Sequence, residues 1–335
     1  MTRQVTRVIV CSSFLLAVLC AACSTIIGPD LPTTPAALFD RVWSDFNLHY
    51  SLFVVKQINW DSLGAVYRPR ALAAQGEVEL SATIGGMLGN LHDGHVLWRG
   101  GQVGTPPYHA YEGDPGMFVT MESSIPGSHV AYGVAGATVG YIAIDSFEGN
   151  GWLPEIDAAL AALDGVTTII IDVRNNGGGL LDNATGAAGR FADRTTTVAY
   201  VRYRNGPAHT DFTAPIAQPV RPAGSRRFLK RVYLLTGRST VSAAELFVLA
   251  MRALGHTTVV GDTTAGETGS PVSRELQNGW SYQFPESIEY TLDGREFEDI
   301  GLPPDVPVVS TADEVVKGID APLARAIALA ATRAP

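Results

Sequence analysis

Apolar positions recur along this chain in two rhythms, and the change of rhythm divides it. Leu38, Phe39, Val42 and Phe46 fall on one helical face, directly after a Thr34-Pro35 start signal: the threonine caps and the proline takes the first helical position. Leu80, Ile84, Met87, Leu88 and Leu91 repeat the three-and-four spacing. Residues 36–95 are therefore expected to form a small helical subdomain. The pattern then shortens. MFVTM, HVAYGV and VGYIAID, between 117 and 145, are broken by Pro126-Gly127 and Ala135-Gly136 and read as short strands. Residues 96–138 are expected to be a short strand and hairpin connector.

From 139 to 335 strands and helices alternate. Helix Leu153–Leu163 precedes strand Thr167–Val173, and a glycine-rich loop leads into helix Leu180–Phe191. Strands Val198–Tyr203 and Arg231–Thr236 follow, then helix Ser242–Leu254, strand Thr257–Val260 and an alanine-rich helix from about Ala312. Such alternation predicts an α/β core with a partly parallel sheet.

The first segment follows neither rhythm. Arg3 and Arg7 precede an apolar stretch from Val8 to Leu19, then Cys20-Ala21-Ala22-Cys23. A basic start, a short apolar run and small residues before a break describe an export signal over residues 1–22. The run falls short of the roughly 20 residues that span a bilayer. Ala21-Ala22-Cys23 is similar to a bacterial lipobox, which implies acylation of Cys23, with residues 23–35 as a proline-containing tether. Plain secretion and an uncleaved anchor are the alternatives. The expected location is the cell envelope, with membrane attachment through the N-terminal lipid. Ser24 after Cys23 points to the outer membrane or periplasmic face if the organism is Gram-negative.

Composition narrows the function classes. Charged residues make up 17% and hydrophobic ones 46%, against about 25% charged in an average soluble domain, which argues for a packed core. Net charge is −9 and no run of Lys or Arg occurs, so nucleic acid is not an expected partner. The cysteines stand at 11, 20 and 23 alone. The body after Cys23 thus has no thiol for catalysis, disulfides or metal.

Four segments carry candidate chemistry. Ser239-Thr240-Val241-Ser242-Ala243-Ala244-Glu245 follows a strand and opens a helix. It reads either as a capping box between Ser242 and Glu245 or as a serine nucleophile beside free N–H groups that stabilise an oxyanion. Asp172-Val173-Arg174-Asn175-Asn176-Gly177-Gly178-Gly179 ends a strand in three glycines, which bare backbone N–H groups to a ligand. Leu91-His92-Asp93-Gly94-His95 offers histidine as a general base; it lacks H-E-x-x-H, and no metal or other cofactor is expected. Glu296-Phe297-Glu298-Asp299-Ile300-Gly301 concentrates acids in a turn, able to orient a histidine.

In this order, L-H-D-G-H, D-V-R-N-N-G-G-G, T-V-S-A-A-E, V-G-D-T-T-A-G and E-D-I-G-L-P-P-D resemble the tail-specific, or C-terminal-processing, serine peptidases. The family includes the tricorn protease core and the repeats of interphotoreceptor retinoid-binding protein. The resemblance implies a crotonase/Clp-like α/β core and a peptide or protein substrate. Carried over by position, it makes Ser242 the nucleophile and the N–H groups of Ala243 and of Gly177 or Gly178 the oxyanion hole. In the Ser-Lys branch a lysine follows V-G-x-x-T; here that position holds Glu267, and the only lysines are Lys56, Lys230 and Lys317. The tricorn-like branch instead implies His95 as base and Glu298 as the acid that orients it, with Asp299 as the fallback. The serine beside the tricorn histidine is Gly94 here. Only 43 residues separate L-H-D-G-H from the strand at Val139, too few for the PDZ module of processing members. The alternative function is a non-catalytic binder of an apolar ligand or peptide; an amide or ester hydrolase on the same residues is a third.

Overall fold

Three helices form the N-terminal unit: α1 (Pro35–His49), α2 (Trp60–Ala73) and α3 (Glu77–Gly89). The Thr34 hydroxyl accepts from Ala37 N at 3.3 Å, with Pro35 in the first turn, as the sequence signal requires. Helix α2 has no strong apolar rhythm because it buries Trp60, Gly64 and Ala71. Gly64 lies against the Trp43 indole, where a Cβ would come within 2.4 Å of the ring nitrogen. The computed structural model describes residues 32–104, 121–124, 128–136 and 138–332. The export signal, Cys23, most of the tether and the strand expected at 117–121, except Met121, lie outside them.

Strands β1 (Leu97–Gly100) and β2 (Val103–Gly104) form a hairpin. Strands β3 (Met121–Ser124) and β4 (Val130–Gly136) lead antiparallel into β5 (Val139–Ile144), and β5 lies parallel to β6 (Thr168–Asp172). Next come α4 (Leu153–Ala162), which precedes β6, α5 (Leu181–Ala188) with a 3-10 turn to Phe191, β7 (Thr196–Tyr203), β8 (Ile216–Val220) and β9 (Arg231–Thr236). Helix α6 (Ala243–Ala253), β10 (Thr257–Gly261) and β14 (Val306–Pro307) complete a seven-stranded sheet of order β14-β10-β9-β6-β5-β4-β3. From β5 to β14 every pairing is parallel, as alternating β and α units require. Ile169, Ile170 and Ile171 of β6 are fully buried, so this central strand reads as a continuous apolar run. Helices α7 (Ala312–Val316) and α8 (Ala321–Thr332) replace the single helix expected at the end.

Part of the chain beyond 139 packs back on the first unit. Strands β11 (Pro271–Glu275) and β12 (Ser281–Pro285) leave the core and join the hairpin in a sheet of order β11-β12-β1-β2. Trp280, Tyr282 and Phe284 share one apolar cluster with Phe46, Trp60, Leu88 and Trp98. Phe46 and Phe284 stand 4.8 Å apart at their ring centroids, and the Tyr282 hydroxyl donates to Asp45. Strand β13 (Ser287–Tyr290) then returns to pair with β7, and β8 completes that sheet. The N-terminal unit is thus finished by residues expected in the core. Period-two alternation cannot name a distant partner strand.

A buried ion network fixes the end of β6. The Arg174 guanidinium forks onto Asp172 and Asp320, with Nη1 and Nη2 at 2.9 and 2.7 Å from the two Asp320 oxygens. Tyr141 donates to Asp172 at 2.7 Å. Asp320 also accepts from Leu323 N in the first turn of α8. The C-terminal helix is thereby tied to the strand that feeds the glycine loop.

Candidate active site

Ser242 sits where β9 has turned toward α6, with φ 55° and ψ −119°. A non-glycine residue in this region carries backbone strain of order 1–3 kcal/mol, so its surroundings must hold it. Thr240 Oγ1 donates to Val173 O at 2.8 Å, and Val241 N to Asn176 O at 3.0 Å, anchoring the turn to the end of β6. Glu245, fully buried, accepts from Ser242 N at 3.2 Å, Thr264 Oγ1 at 2.6 Å, Gly266 N at 2.8 Å and Glu267 N at 3.0 Å. Burial pushes its carboxyl up to about 8, and these four donors oppose that rise. The return half of the capping box, from Ser242 N to Glu245, thereby braces the V-G-D-T-T-A-G loop.

That hydroxyl meets His95, whose Nε2 stands 3.1 Å from Ser242 Oγ. The loop after α3 supplies the histidine. Its backbone N–H donates to Asp93 Oδ1 at 2.8 Å, and Asp93 Oδ2 accepts from Tyr50 OH at 2.9 Å. The other ring nitrogen, Nδ1, is 3.0 Å from Thr268 O. A carbonyl only accepts, so Nδ1 carries the hydrogen and Nε2 presents its lone pair to the serine. Burial lowers the His95 pKa below its ordinary value, partly opposed by the negative charge of Glu298.

The expected direct contact between Glu298 and the His95 ring is replaced by an indirect one. Glu298 Oε2 accepts from Thr268 N at 2.8 Å and from Thr268 Oγ1 at 2.9 Å. It grips the peptide whose carbonyl holds the histidine. Its other oxygen pairs with Lys56 Nζ at 3.0 Å. Lys56 also reaches Asp299 at 2.7 Å and His92 O at 2.9 Å. Burial and the Asp93 charge push Glu298 up to about 7. Asp299, the fallback acid, ends on Lys56 rather than on His95. Lys56, remote from every motif in sequence, thus lies behind the histidine and ends on Glu298, not Ser242.

The glycine loop separates its two candidates. Gly178 N donates to Asn176 Oδ1 at 2.9 Å, which removes it as an oxyanion donor. Its φ is +91°, and a Cβ there would stand 2.8 Å from Val241 O and 2.9 Å from Ser242 Cβ. Its role is close packing on the nucleophile. Among the described residues, neither Gly177 N–H nor Ala243 N–H donates a hydrogen bond, which leaves these two as the free donors. Gly94, beside the histidine, is filled over by Glu267: a Cβ at Gly94 would come within 2.1 Å of its carboxylate. No group of three or more His, Cys, Asp or Glu side chains among the described residues is placed to hold a metal ion.

Ser242 opens into a cleft of about 470 Å³, whose walls include Leu180, Leu181, Ser270 and Glu289. Sequence reasoning missed Tyr50, Lys56, Thr268 and Glu289. Thr268 meets the His95 ring through its backbone carbonyl, which leaves no side-chain signature, and the others lie in segments without a motif.

A model of peptidase family S41 matches residues 138–308, just over half of the chain, and one of the tricorn protease C1 domain matches residues 32–89. The chain is 32% identical over 174 residues to the "Probable CtpA-like serine protease" of Staphylococcus haemolyticus (strain JCSC1435), covering 51% of this chain and 34% of that protein. It thus spans about a third of that relative's length. A candidate peptidase from Parabacteroides merdae ATCC 43184, known from a crystal structure at 2.26 Å, superposes with TM-score 0.79 at 28% identity, over 89% of this chain and 97% of that one. The tricorn protease superposes with TM-score 0.60 at 17% identity, over 89% of this chain and 37% of that one, a likeness of fold.

Proposed function

This chain belongs to peptidase family S41, and on that premise we propose that it is a serine peptidase cleaving peptides or proteins through an acyl-enzyme on Ser242. The observation that carries the reading is the 3.1 Å contact between Ser242 Oγ and His95 Nε2, with the ring's other nitrogen held by Thr268 O. His95 takes the serine proton as the hydroxyl attacks the scissile carbonyl. The oxyanion is received by the N–H groups of Gly177 and Ala243. His95 then gives its proton to the leaving amine, and a water activated by the same nitrogen releases the acyl group. Glu298 is a positioning residue: it fixes the Thr268 peptide and lends negative charge to the imidazolium. A serine-reactive fluorophosphonate tests the reading. Adduct mass on the Ser242 peptide of folded protein supports it; absence of labelling overturns it.

The pH dependence follows from His95. The base must be neutral, and burial lowers its pKa from 6.5. The acidic limb of kcat/KM that belongs to His95 is therefore expected below pH 6.5. Absence of any limb below 6.5 would contradict the burial argument.

The work is assigned to the cell envelope, with residues 1–22 as the signal and Cys23 as the lipid-bearing first residue of the tether. No helix among the described residues is long and apolar enough to cross a membrane. Fatty-acid incorporation that is lost in Cys23→Ser supports this reading; unlabelled, freely released wild type overturns it.

A further inference from the structure

One buried acid in the cleft is used neither by the mechanism nor by the packing. Glu289 lies on β13, opposite Val201 of β7, and is 4% exposed, yet it lines the cleft that contains Ser242. Among the described residues no donor hydrogen-bonds its carboxylate and no cation pairs with it. Burial and the charge of Glu298 hold its carboxyl up to about 7. Its neighbour in the cleft wall, Ser270, has an enclosed hydroxyl that meets no partner among the described residues. None of the residues lining the cleft is basic, and Asp182 adds a second, exposed acid.

A buried carboxylate without a partner is costly, and here it faces the space that substrate must enter. The cleft also has a defined side. Gly179, Leu180 and Leu181 line it and continue from the Gly177 oxyanion donor, whereas His95, toward which the amine departs, is not in its wall. A side chain entering beside Leu180 and Leu181 is accordingly taken as that of the acyl residue. We propose that Glu289, with the Ser270 hydroxyl, receives the cationic side chain of a lysine or arginine immediately before the cleaved bond. The aliphatic stem would lie along Leu180 and Leu181. This inference rests on the peptidase reading above and names the substrate class for the same site.

The test maps cleavage sites in a mixed peptide library by mass spectrometry, alongside fluorophosphonate labelling of the same preparation. Wild type is expected to cut after Lys and Arg. In Glu289→Gln the ratio of kcat/KM for Lys over Leu at that position should fall about 10²-fold, the size expected when one partner of a buried charge pair is removed. Glu289→Asp should restore part of it. Thermal melts separate this loss from misfolding. The wild-type carboxyl is raised from its ordinary 4.5, so its ionisation penalty is absent below 4.5 and complete above about 7. Glu289→Gln is therefore expected to melt at or above the wild-type temperature at pH 8. Labelled enzyme with no cationic preference, with cleavage before rather than after cationic residues, or with equal loss in Glu289→Gln on every substrate, overturns the proposal and leaves the peptidase reading standing. Absence of both labelling and cleavage overturns the two together.

Discussion

Ser242→Ala and His95→Ala are each expected to lower kcat by about 10⁴–10⁶-fold while the fold is retained, because nucleophile and base act as one unit. The hydroxyl of Ser242 makes its side-chain hydrogen bond with His95. The turn around it is held instead by Thr240, Val241 and Glu245. Losing the hydroxyl should therefore leave circular dichroism and melting temperature close to wild type. The double variant should fall no further than either single one. Turnover of a peptide substrate, measured against the same preparation's melt, decides it. Activity within tenfold of wild type in either variant would remove Ser242 and His95 from the mechanism.

Arg174→Met is expected to cost about 3–5 kcal/mol of stability, the range for breaking a buried ion pair from one side. Asp172 and Asp320 would be left buried without their cation, at 7% and 5% exposure. Tyr141 and the backbone N–H of residue 174 would still donate to Asp172, and Leu323 N to Asp320, but neutral donors do not replace the lost cation between two buried carboxylates. Denaturant unfolding is the direct measurement, and a loss below 1 kcal/mol would show that the network relaxes around the gap. A second effect belongs to the same variant. Arg174 lies three residues before Gly177, so turnover should also fall under conditions where the protein remains folded.

Much of the α/β core was legible because it rests on local pattern. The strands at 168–172 and 231–236 and the helices starting at Leu153 and Ala243 stand within a residue of their expected starts. Ser242 and His95 were legible because each sits in a motif whose spacing fixes the neighbourhood. Which atom meets which was not. The acid turn does approach the histidine, but Glu298 spends its oxygens on Thr268 and Lys56, and a carbonyl takes the ring nitrogen. Backbone groups occur at every position, so no residue type announces one that acts. Gly177 and Gly178 are indistinguishable in sequence; the Asn176 amide separates them by occupying one N–H. Helix α2 was obscured because its buried face is built on Trp60, Gly64 and Ala71, and small residues leave little hydrophobic contrast.

The crossing of β11 and β12 into the N-terminal unit bears on how such a protein can be altered by recombination. The Ser51 hydroxyl bonds to the carbonyls of Pro285 and Ser287, at 3.1 and 2.8 Å, so the chain just after α1 is stitched to the junction of β12 and β13, more than 230 residues away. An exchange that replaced only residues 36–95 with those of a relative would deprive β12 of its matched aromatic partners. The histidine half and the serine half are therefore expected to be inherited as one block, and chimaeras should fold only when the segment from Pro271 to Tyr290 travels with the first helices.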